Sequence, residues 1–439
     1  MAKPALQGLL CWLMIQAVVT APLKDNLVPR DFLAEESLVV TDTYFPLSRV
    51  PPTREDLKTS RFQEGQTEDG LQIRQVAPGT APLRAIPKQT QYLMSVGIGG
   101  RNWSMIPDTG SADTWLMSST FKCLDRSHQL QDQIACNFGP SFAGNFSGGR
   151  IPDQHMNISY GGGDSLNGDM GYADITVAGI TVPRQQMSLV TSASIRGNGI
   201  FSGILALGMR GLTTSYTGMD PASDSPATAI KYAPLVETLS KKVAPLFSVA
   251  MSRDDTRSFI SFGGVPPNVT TGEFATTPIR QMSVNGGPKQ YMYYGFMPDN
   301  MKVGNTETNQ TWSKPAGMLV DTGTTLNYFP ADVAQTINDL FVPPAQYGGE
   351  GTFAVRCDAV PPRVEIGIGG KAIPINPSNL ILPETKQSLP DGDYCVSGVA
   401  ANVGLSILGD AFLEELLVVF DVSDKKQMKF AQRTDKSSQ

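Results

Sequence analysis

The stretch Met105–Ser111, which reads MIPDTGS, returns in the second half of the chain as Met318–Thr324, which reads MLVDTGT. Each copy is followed later by an apolar segment that contains glycine: GILALG at Gly203–Gly208 and SILGD at Ser406–Asp410. A single Asp-Thr-Gly triplet is usually a turn, whereas two copies with matching companion segments indicate two similar halves. The repeat therefore predicts a pseudo-symmetric molecule of two lobes, with one aspartate from each half at a cleft between them.

The two repeated aspartates, Asp108 and Asp321, are the predicted catalytic residues. Two carboxyl groups brought close together cannot both ionise readily, so one pKa falls, the other rises, and the pair shares a proton over an acidic range. The ionised carboxylate can take a proton from a water held between the two groups, while the protonated one polarises a substrate carbonyl. The pattern predicts acid-base chemistry by a carboxyl pair at acidic pH.

The residues that follow each aspartate are suited to support it. The threonine can form hydrogen bonds across the two loops, and the glycine lets the backbone approach closely. The hydroxyl residue after the glycine can donate to the outer carboxylate oxygen. The predicted supporting residues are Thr109, Gly110, Ser111, Thr322, Gly323, Thr324 and Thr325.

Length and composition favour a β-dominated protein with few helices. A chain of 439 residues is too long for one ordinary core, and its 43 glycines and 32 prolines are typical of many turns. Short runs alternate apolar and polar residues, which predicts strands at 92–98, 173–177 and 246–251. Helices are predicted at 330–340 and 234–242, each with a proline at its start.

Charge and motif content exclude several other functions. A net charge of −6 argues against nucleic acid or an anionic membrane as a partner. The two histidines, His128 and His155, lie outside any recognisable catalytic motif, which disfavours serine and cysteine protease mechanisms. No His-Glu-x-x-His or paired-cysteine motif indicates a metal, and no cofactor is expected.

The N-terminus has the features of a secretory signal. Lys3 precedes the apolar run Leu9–Ile15, and small residues follow. The run is short for a membrane span, and the polar C-terminus lacks a tail for lipid anchoring. Residues 22–88, rich in charge and proline, are interpreted as a prosegment with a linker. The predicted organisation is a signal peptide at 1–21, the prosegment at 22–88, an N-terminal lobe at 89–268 and a C-terminal lobe at 269–439.

The cysteines and glycosylation triplets fit an exported protein. Cys11 is lost with the signal, and an even number of cysteines in a secreted chain suggests two disulfides, for which four cysteines allow three pairings. The order along the chain favours Cys123 with Cys136 and Cys357 with Cys395. Candidate N-glycosylation triplets begin at Asn102, Asn145, Asn157, Asn268 and Asn309.

From about residue 89 to 433, the chain resembles the pepsin-like aspartic proteinases, in particular the secreted fungal type. The family motif Asp-Thr-Gly-Ser-x-x-x-Trp is met by Asp108–Trp115, which reads DTGSADTW, and the flap motif by Ile158–Ser165, which reads ISYGGGDS. FSGILALG at Phe201–Gly208 and the closing segments ILGD, FD and KFA also match. The resemblance implies two β-lobes joined by a shared sheet, with the lobe boundary near residues 263–272.

The resemblance also implies an activity and partners. The protein would be an endopeptidase that cleaves polypeptides as a monomer, with its own prosegment as an intramolecular inhibitor. It would be secreted or delivered to an acidic vacuole. Tyr160, followed by Gly161 in the flap, would lie over the cleft and form a hydrogen bond with Trp115. The alternative is a non-catalytic pepsin-like protein whose cleft binds a peptide or another protein. It ranks lower because the aspartates, their Thr-Gly neighbours and the flap tyrosine are all present.

The same resemblance outlines a specificity pocket for the residue before the scissile bond. Its predicted lining is apolar apart from one phenol, so a bulky hydrophobic substrate side chain should be preferred. Pro107 departs from the family pattern, because proline removes a backbone donor inside a predicted core strand. The predicted lining residues are Ile106, Tyr160, Ile195, Phe201 and Ile204.

Overall fold

The structure is a computed structural model. It describes residues 91–160, 165–253, 257–266, 269, 271–283, 288–304, 309–313, 315–402 and 406–434, and the backbone of 80–82 and 84–85. The predicted signal peptide, nearly all of the predicted prosegment, Gly161 of the flap and the triplet asparagine Asn268 lie outside the described residues.

Strands dominate the fold and helices are few and short, which confirms the predicted β-rich, bilobal, pepsin-like architecture. The first-half strands are β1 Thr80–Pro82, β2 Arg84–Ala85, β3 Tyr92–Ile98, β4 Arg101–Asp108, β5 Trp115–Leu124, β6 Leu130–Gln131, β7 Arg150–Ser159, β8 Ser165–Val177, β9 Ile180–Ala193, β10 Gly203–Ala206, β11 Ser215–Thr217, β12 Ala229–Ile230, β13 Leu246–Ala250 and β14 Phe259–Phe262.

The second half has the same β-rich character. Its strands are β15 Ala275–Pro278, β16 Gly295–Phe296, β17 Asn300–Gly304, β18 Asn309–Trp312, β19 Met318–Val320, β20 Asn327–Pro330, β21 Gln346–Gly349, β22 Thr352–Arg356, β23 Arg363–Ile368, β24 Lys371–Ile375, β25 Ile381–Leu389, β26 Gly392–Ser397, β27 Val399–Asn402, β28 Ser406–Leu408, β29 Leu416–Asp421 and β30 Gln427–Gln432.

The described helices are short. The predicted helices at 234–242 and 330–340 are confirmed as α2 and α3, and each begins after a proline. Along the described residues, no helix combines the length and the hydrophobicity needed to cross a bilayer. The α-helices are α1 Gln133–Cys136, α2 Leu235–Leu239, α3 Ala331–Asp339 and α4 Asp410–Leu413, and short 3-10 turns lie at Arg210–Leu212, Pro221–Ser223 and Pro377–Leu380.

Each lobe builds its own sheets. In the N-terminal lobe the strand order is β12-β11-β7-β8-β9-β5-β10-β4-β3-β2, and an extra pairing of β8 with β3 curls the sheet towards a barrel. In the C-terminal lobe one sheet has the order β16-β19-β28-β20-β27, and two four-stranded sheets lie beside it. The disulfides Cys123–Cys136 and Cys357–Cys395 each lie within one lobe, which confirms the predicted pairing.

A shared sheet joins the lobes. Its order is β1-β14-β13-β29-β30-β15, so the first-half strand β13 pairs directly with the second-half strand β29. The ring of Phe247 stacks on that of Phe420 at 4.7 Å, and Tyr294 packs edge-on against both. The predicted lobe boundary after residue 268 falls in the chain between β14 and β15, and its position stays a prediction.

The same strand arrangement surrounds both aspartates. In the N-terminal lobe β10 lies parallel to β4 and antiparallel to β5, and β5 lies parallel to β9. In the C-terminal lobe β28 lies parallel to β19 and antiparallel to β20, and β20 lies parallel to β27. The Ile-Leu segments noted in the sequence are β10 and β28, so the sequence repeat corresponds to a structural repeat.

Candidate active site

The two aspartates occupy equivalent positions, one in each lobe. Asp108 is the last residue of β4, and Asp321 directly follows β19. The backbone of each loop is tied to the neighbouring Ile-Leu strand: Leu207 N–H donates to Asp108 O at 2.7 Å, and Asp321 N–H donates to Leu408 O at 3.0 Å. Pro107 does not interrupt β4, which continues to Asp108. Pro107 lies opposite Leu205 of the parallel strand β10.

Thr109 and Thr322 lock the two aspartate loops together. The Oγ1 of Thr109 donates to Val320 O at 2.9 Å and accepts from Thr322 N–H at 3.0 Å. In the same way the Oγ1 of Thr322 donates to Pro107 O at 2.7 Å and accepts from Thr109 N–H at 3.1 Å. Both threonines are buried. Each lobe therefore satisfies backbone groups of the other.

Each carboxylate is held by the residues that follow it. Gly110 N–H donates to Asp108 Oδ1 at 2.7 Å, and Ser111 Oγ donates to Oδ2 at 2.5 Å. The second lobe repeats the pattern, since Asp321 accepts from Gly323 N–H at 2.9 Å and from Thr324 Oγ1 at 2.6 Å. Backbone N–H and hydroxyl donors stabilise ionised carboxylates.

The positions of the two triplet glycines leave no room for a side chain. A β-carbon on Gly110 would lie 2.5 Å from Oδ2 of Asp321, and one on Gly323 would lie 2.6 Å from Oδ1 of Asp108. Each glycine thus leaves room for the carboxyl group of the opposite lobe. Thr325 is buried, and its carbonyl accepts from Ala411 N–H at 3.0 Å, so α4 supports the second aspartate loop.

Burial and mutual repulsion change the proton affinity of the pair. Asp108 is 2% exposed and Asp321 is 8% exposed. Burial, together with the neighbouring Asp321 carboxyl group, raises the pKa of Asp108 well above its ordinary value. Hydrogen bonds donated by Ser111 and Gly110 favour the ionised carboxylate and oppose this rise in the pKa of Asp108.

The flap tyrosine and the motif tryptophan meet as expected. Trp115 is the first residue of β5, and its indole N–H donates to the Tyr160 hydroxyl at 3.3 Å. Both belong to one buried apolar cluster in the N-terminal lobe, which also holds the other predicted pocket residues. Those residues are Ile106, Ile195, Phe201 and Ile204, each at most 3% exposed.

Comparison with known proteins identifies the family. The sequence profile described as eukaryotic aspartyl protease matches residues 91–433. The chain belongs to the eukaryotic aspartyl protease family. The "probable aspartic-type endopeptidase" of Aspergillus fumigatus is 32% identical over 372 residues, which cover 81% of this chain and 82% of the relative.

More distant relatives carry pepsin-type names. Rhizopuspepsin-1 of Rhizopus niveus is 25% identical and aligns with 79% of this chain and 80% of its own length. Gastricsin of Rattus norvegicus is 27% identical and aligns with 87% of this chain and 93% of its own length. The protein is therefore a pepsin-like aspartic endopeptidase.

Three features of the protease site were not predicted from the sequence. The first is Tyr293, whose pKa is raised by burial and by the nearby carboxyl groups of Asp321 and Asp108. No local motif marks Tyr293, because only the folded chain brings it close to the two aspartates.

Among the described residues of the protease, no three His, Cys, Asp or Glu side chains are arranged to hold a metal ion.

The second feature is a buried acidic cluster beside the C-terminal aspartate. Asp410 begins α4, and burial raises its pKa well above the ordinary value, with Glu414 and Asp321 adding to the effect. Glu414 accepts from the Tyr92 hydroxyl at 3.0 Å and from Arg253 Nε at 3.0 Å. The aspartate of the ILGD segment was the only sequence signal for this cluster.

The third feature is Asp113, which lies inside the first Asp-Thr-Gly-Ser-x-x-x-Trp motif. It accepts from the Tyr232 hydroxyl at 2.7 Å and from both the N–H and the hydroxyl of Thr214 at 2.8 Å. The carbonyl of Thr214 in turn accepts from Asn157 N–H at 3.1 Å, on the strand that leads to the flap. Asp113 thus connects the loop of Asp108 to the base of the flap.

Proposed function

We propose that this protease hydrolyses peptide bonds at acidic pH through a water molecule activated between Asp108 and Asp321. The observation that carries the proposal is the pair of equivalent, buried carboxyl groups, one from each lobe, with matching donors and a glycine opposite each. The raised pKa of Asp108 supports a pair that shares one proton in acid.

The chemistry follows from one shared proton. The ionised member of the pair accepts a proton from the attacking water, and the protonated member donates to the carbonyl oxygen of the substrate. The carbonyl carbon becomes tetrahedral. As the C–N bond breaks, the proton taken from water passes to the leaving nitrogen, and a hydroxyl proton of the tetrahedral carbon returns to the carboxylate that had donated one. Ser111 and Thr324 hold the outer oxygens, which leaves the inner oxygens for water and substrate.

The test replaces each carboxyl group by an amide of the same shape. Asp108→Asn and Asp321→Asn should each lower kcat for peptide hydrolysis by at least about a thousandfold, since the two groups have separate proton roles. Asp424→Asn, at an exposed position of the C-terminal lobe, is the matched control and should keep full activity. Circular dichroism verifies folding. Substantial hydrolysis by either folded dyad variant would refute the assignment.

Acid dependence belongs to the same proposal. A pair that must carry one proton gives a bell-shaped profile of kcat/KM against pH, with activity mainly on the acid side of neutrality. Full activity at pH 8 with none at pH 4 would contradict it.

We further propose a preference for bulky hydrophobic side chains before the scissile bond. The support is the apolar cluster around Trp115 and Tyr160, where a well-buried side chain contributes about 1.5–3 kcal/mol of binding. Tyr160, which is itself buried in this cluster, would lie over the bound substrate as part of the flap. The measurement is kcat/KM for matched peptides. Phe or Leu at that position should exceed Lys, and the reverse order would refute the proposal.

Maturation and location complete the proposal. The protein would be secreted, or delivered to an acidic vacuole, as a monomer that is inhibited by its prosegment until the segment is removed. The support is the apolar run at Leu9–Ile15 and the change of composition near residue 88. N-terminal sequencing of active protein should find a start between residues 72 and 89. An active protein that still begins near Pro22 would exclude removal of the segment as a requirement.

A further inference from the structure

The strand that leads to the flap has two different faces. Side chains alternate along a strand, and on β7 the even-numbered residues Met156 and Ile158 are buried in the apolar cluster, with Tyr160 next in line. The odd-numbered residues His155 and Asn157 lie on the other face. The function described so far uses only the buried face.

One carboxyl group clamps both polar residues of that face. The two oxygens of Asp224 lie 3.1 and 3.2 Å from Nε2 of His155. Asp224 Oδ2 also accepts from Asn157 Nδ2 at 2.7 Å. The side chains of His155 and Asp224 are only 4% and 11% exposed. Asp224 follows the 3-10 turn Pro221–Ser223, so the clamp joins β7 to a separate segment of the lobe.

The geometry around the ring of His155 requires two donors. Nδ1 lies 2.8 Å from the carbonyl oxygen of Gly218, while Nε2 faces the Asp224 carboxylate. A neutral imidazole has only one N–H, and both ring nitrogens donate only in the imidazolium form. When the ring loses a proton, one of the two contacts therefore becomes an acceptor facing an acceptor.

Among the described residues, no lysine or arginine is seen in contact with Asp224, so no other cation takes the place of the ring proton there. The chain before Asp224 is also bonded to the backbone of β7. Ser215 Oγ donates to His155 O at 3.2 Å, and Gly218 N–H donates to Asp153 O at 2.7 Å. Three titratable groups face the ring: Asp224 after the 3-10 turn, Tyr216 on β11 and Asp169 on β8. The ring centroids of His155 and Tyr216 are 5.9 Å apart. Asp169 forms an ion pair with Arg150 of β7 at 2.7 Å.

We propose that His155 and Asp224, with Asn157, are positioning residues that hold the base of the flap in acid and release it as the pH rises. The clamp fixes the outer face of β7 five residues before Tyr160, and thereby orients the tyrosine on the inner face. It exists in full only while the ring is an imidazolium, because only then do both ring nitrogens donate. The proposal rests on the flap role proposed for Tyr160.

The first experiment separates positioning from chemistry by kinetics. His155→Gln and Asp224→Asn should each raise KM at pH 4 by about threefold or more, because a hydrogen bond to a charged group is lost, while kcat stays within about twofold. The unaltered enzyme should show a rise of KM towards pH 7, and this rise should disappear in both variants. Asp174→Asn, at an exposed position of β8 away from the ring, is the matched control and should keep the parent profile. An unchanged KM and an unchanged pH profile in His155→Gln would overturn the proposal.

The second experiment needs no change at the clamp and no catalysis. The full chain carrying Asp108→Asn, labelled with 13C in its histidines, should show signals from only two residues, His128 and His155. Hydrogen exchange of the 150–160 peptide, corrected for intrinsic rates, should lose protection on the order of tenfold across the pH interval in which His155 titrates.

The two outcomes of the exchange experiment are distinct. Loss of protection that follows the His155 signal, and not the exposed His128, supports the clamp. Constant protection through that interval overturns it. Residual activity of the Asp108→Asn protein would count against the proposed catalytic pair and would leave this comparison intact.

Discussion

At the scale of single residues, the hydroxyl groups of Thr109 and Thr322 determine whether an aspartate pair can exist. Each hydroxyl accepts from a backbone N–H and donates to a carbonyl, and all partners are in or beside the opposite loop. A buried backbone group that loses its hydrogen-bond partner destabilises a protein more than the loss of a hydrogen bond of the same length at the surface does. The two threonines therefore fix the approach of the carboxyl groups.

Replacement of one threonine tests this interlock. Thr322→Val keeps the shape but leaves Thr109 N–H and Pro107 O without the hydroxyl, which should cost about 1–3 kcal/mol for each buried group. We expect a lower Tm and a lower kcat, measured by thermal denaturation and peptide hydrolysis. Thr322→Ser, which keeps the hydroxyl, is the control and should lie close to the parent. Equal behaviour of the two variants would contradict the interlock.

Residues that act locally could be predicted from the sequence, whereas residues that act through distant partners could not. The triplet glycines and hydroxyl groups contact the aspartate two or three positions before them, so the motif alone indicates their contacts. Asp224 and its partner His155 are 69 positions apart, and Tyr92 and Glu414 are 322 apart. Only the register of β7 with β11, or the shared sheet, brings such residues together.

At the scale of elements, alternation of apolar and polar residues along the sequence correctly predicted strands. The predicted strand at 92–98 coincides with β3, and the run at 246–251 with β13. Sequence alternation could show that β7 has a buried and a polar face, but it gave no sign of what the polar face contacts. That information depends on the 3-10 turn Pro221–Ser223, whose place is set by the fold.

The contacts of β7 predict which asparagines carry glycans when the protein passes through a fungal secretory pathway. Asn102, Asn145 and Asn309 are exposed, whereas the Asn157 amide already donates to Asp224. We expect occupancy at the three exposed sites and none at Asn157, because glycosylation replaces an amide hydrogen and adds a bulky sugar. Mass spectrometry after enzymatic deglycosylation in heavy-oxygen water measures this. A glycan on Asn157 in active enzyme would contradict both this expectation and the clamp.

At the scale of the whole molecule, buried carboxyl groups make folding depend on pH. Burial raises the pKa of Asp108, Asp410 and Glu414 above their ordinary values. The folded state then binds these protons more tightly than the unfolded state does. Their stabilising effect is present below the ordinary carboxyl range and is lost as the pH rises towards the raised pKa values. These three groups should therefore contribute most to the stability of the fold in acid.

Asp410 offers a direct measurement of this dependence. Asp410→Asn keeps the shape and cannot ionise, so Tm should fall less between pH 4 and pH 7 than in the parent enzyme. One pKa unit corresponds to about 1.4 kcal/mol, which amounts to roughly 2–4 °C in Tm for a large domain. Asp424→Asn, at an exposed site, should follow the parent curve. Identical pH slopes for Asp410→Asn and the parent would show that this carboxyl group does not contribute.

The threonine interlock also bears on how the chain is made. Its bonds join residues 211 to 215 positions apart, and the loop of Asp321 rests on β28, which lies close to the C-terminus. A ribosome-bound chain can therefore complete its N-terminal lobe while the carboxyl pair is still missing. The proposed catalytic pair is assembled only after almost the whole polypeptide has emerged, so we expect unfinished copies to be unable to cut one another during translation.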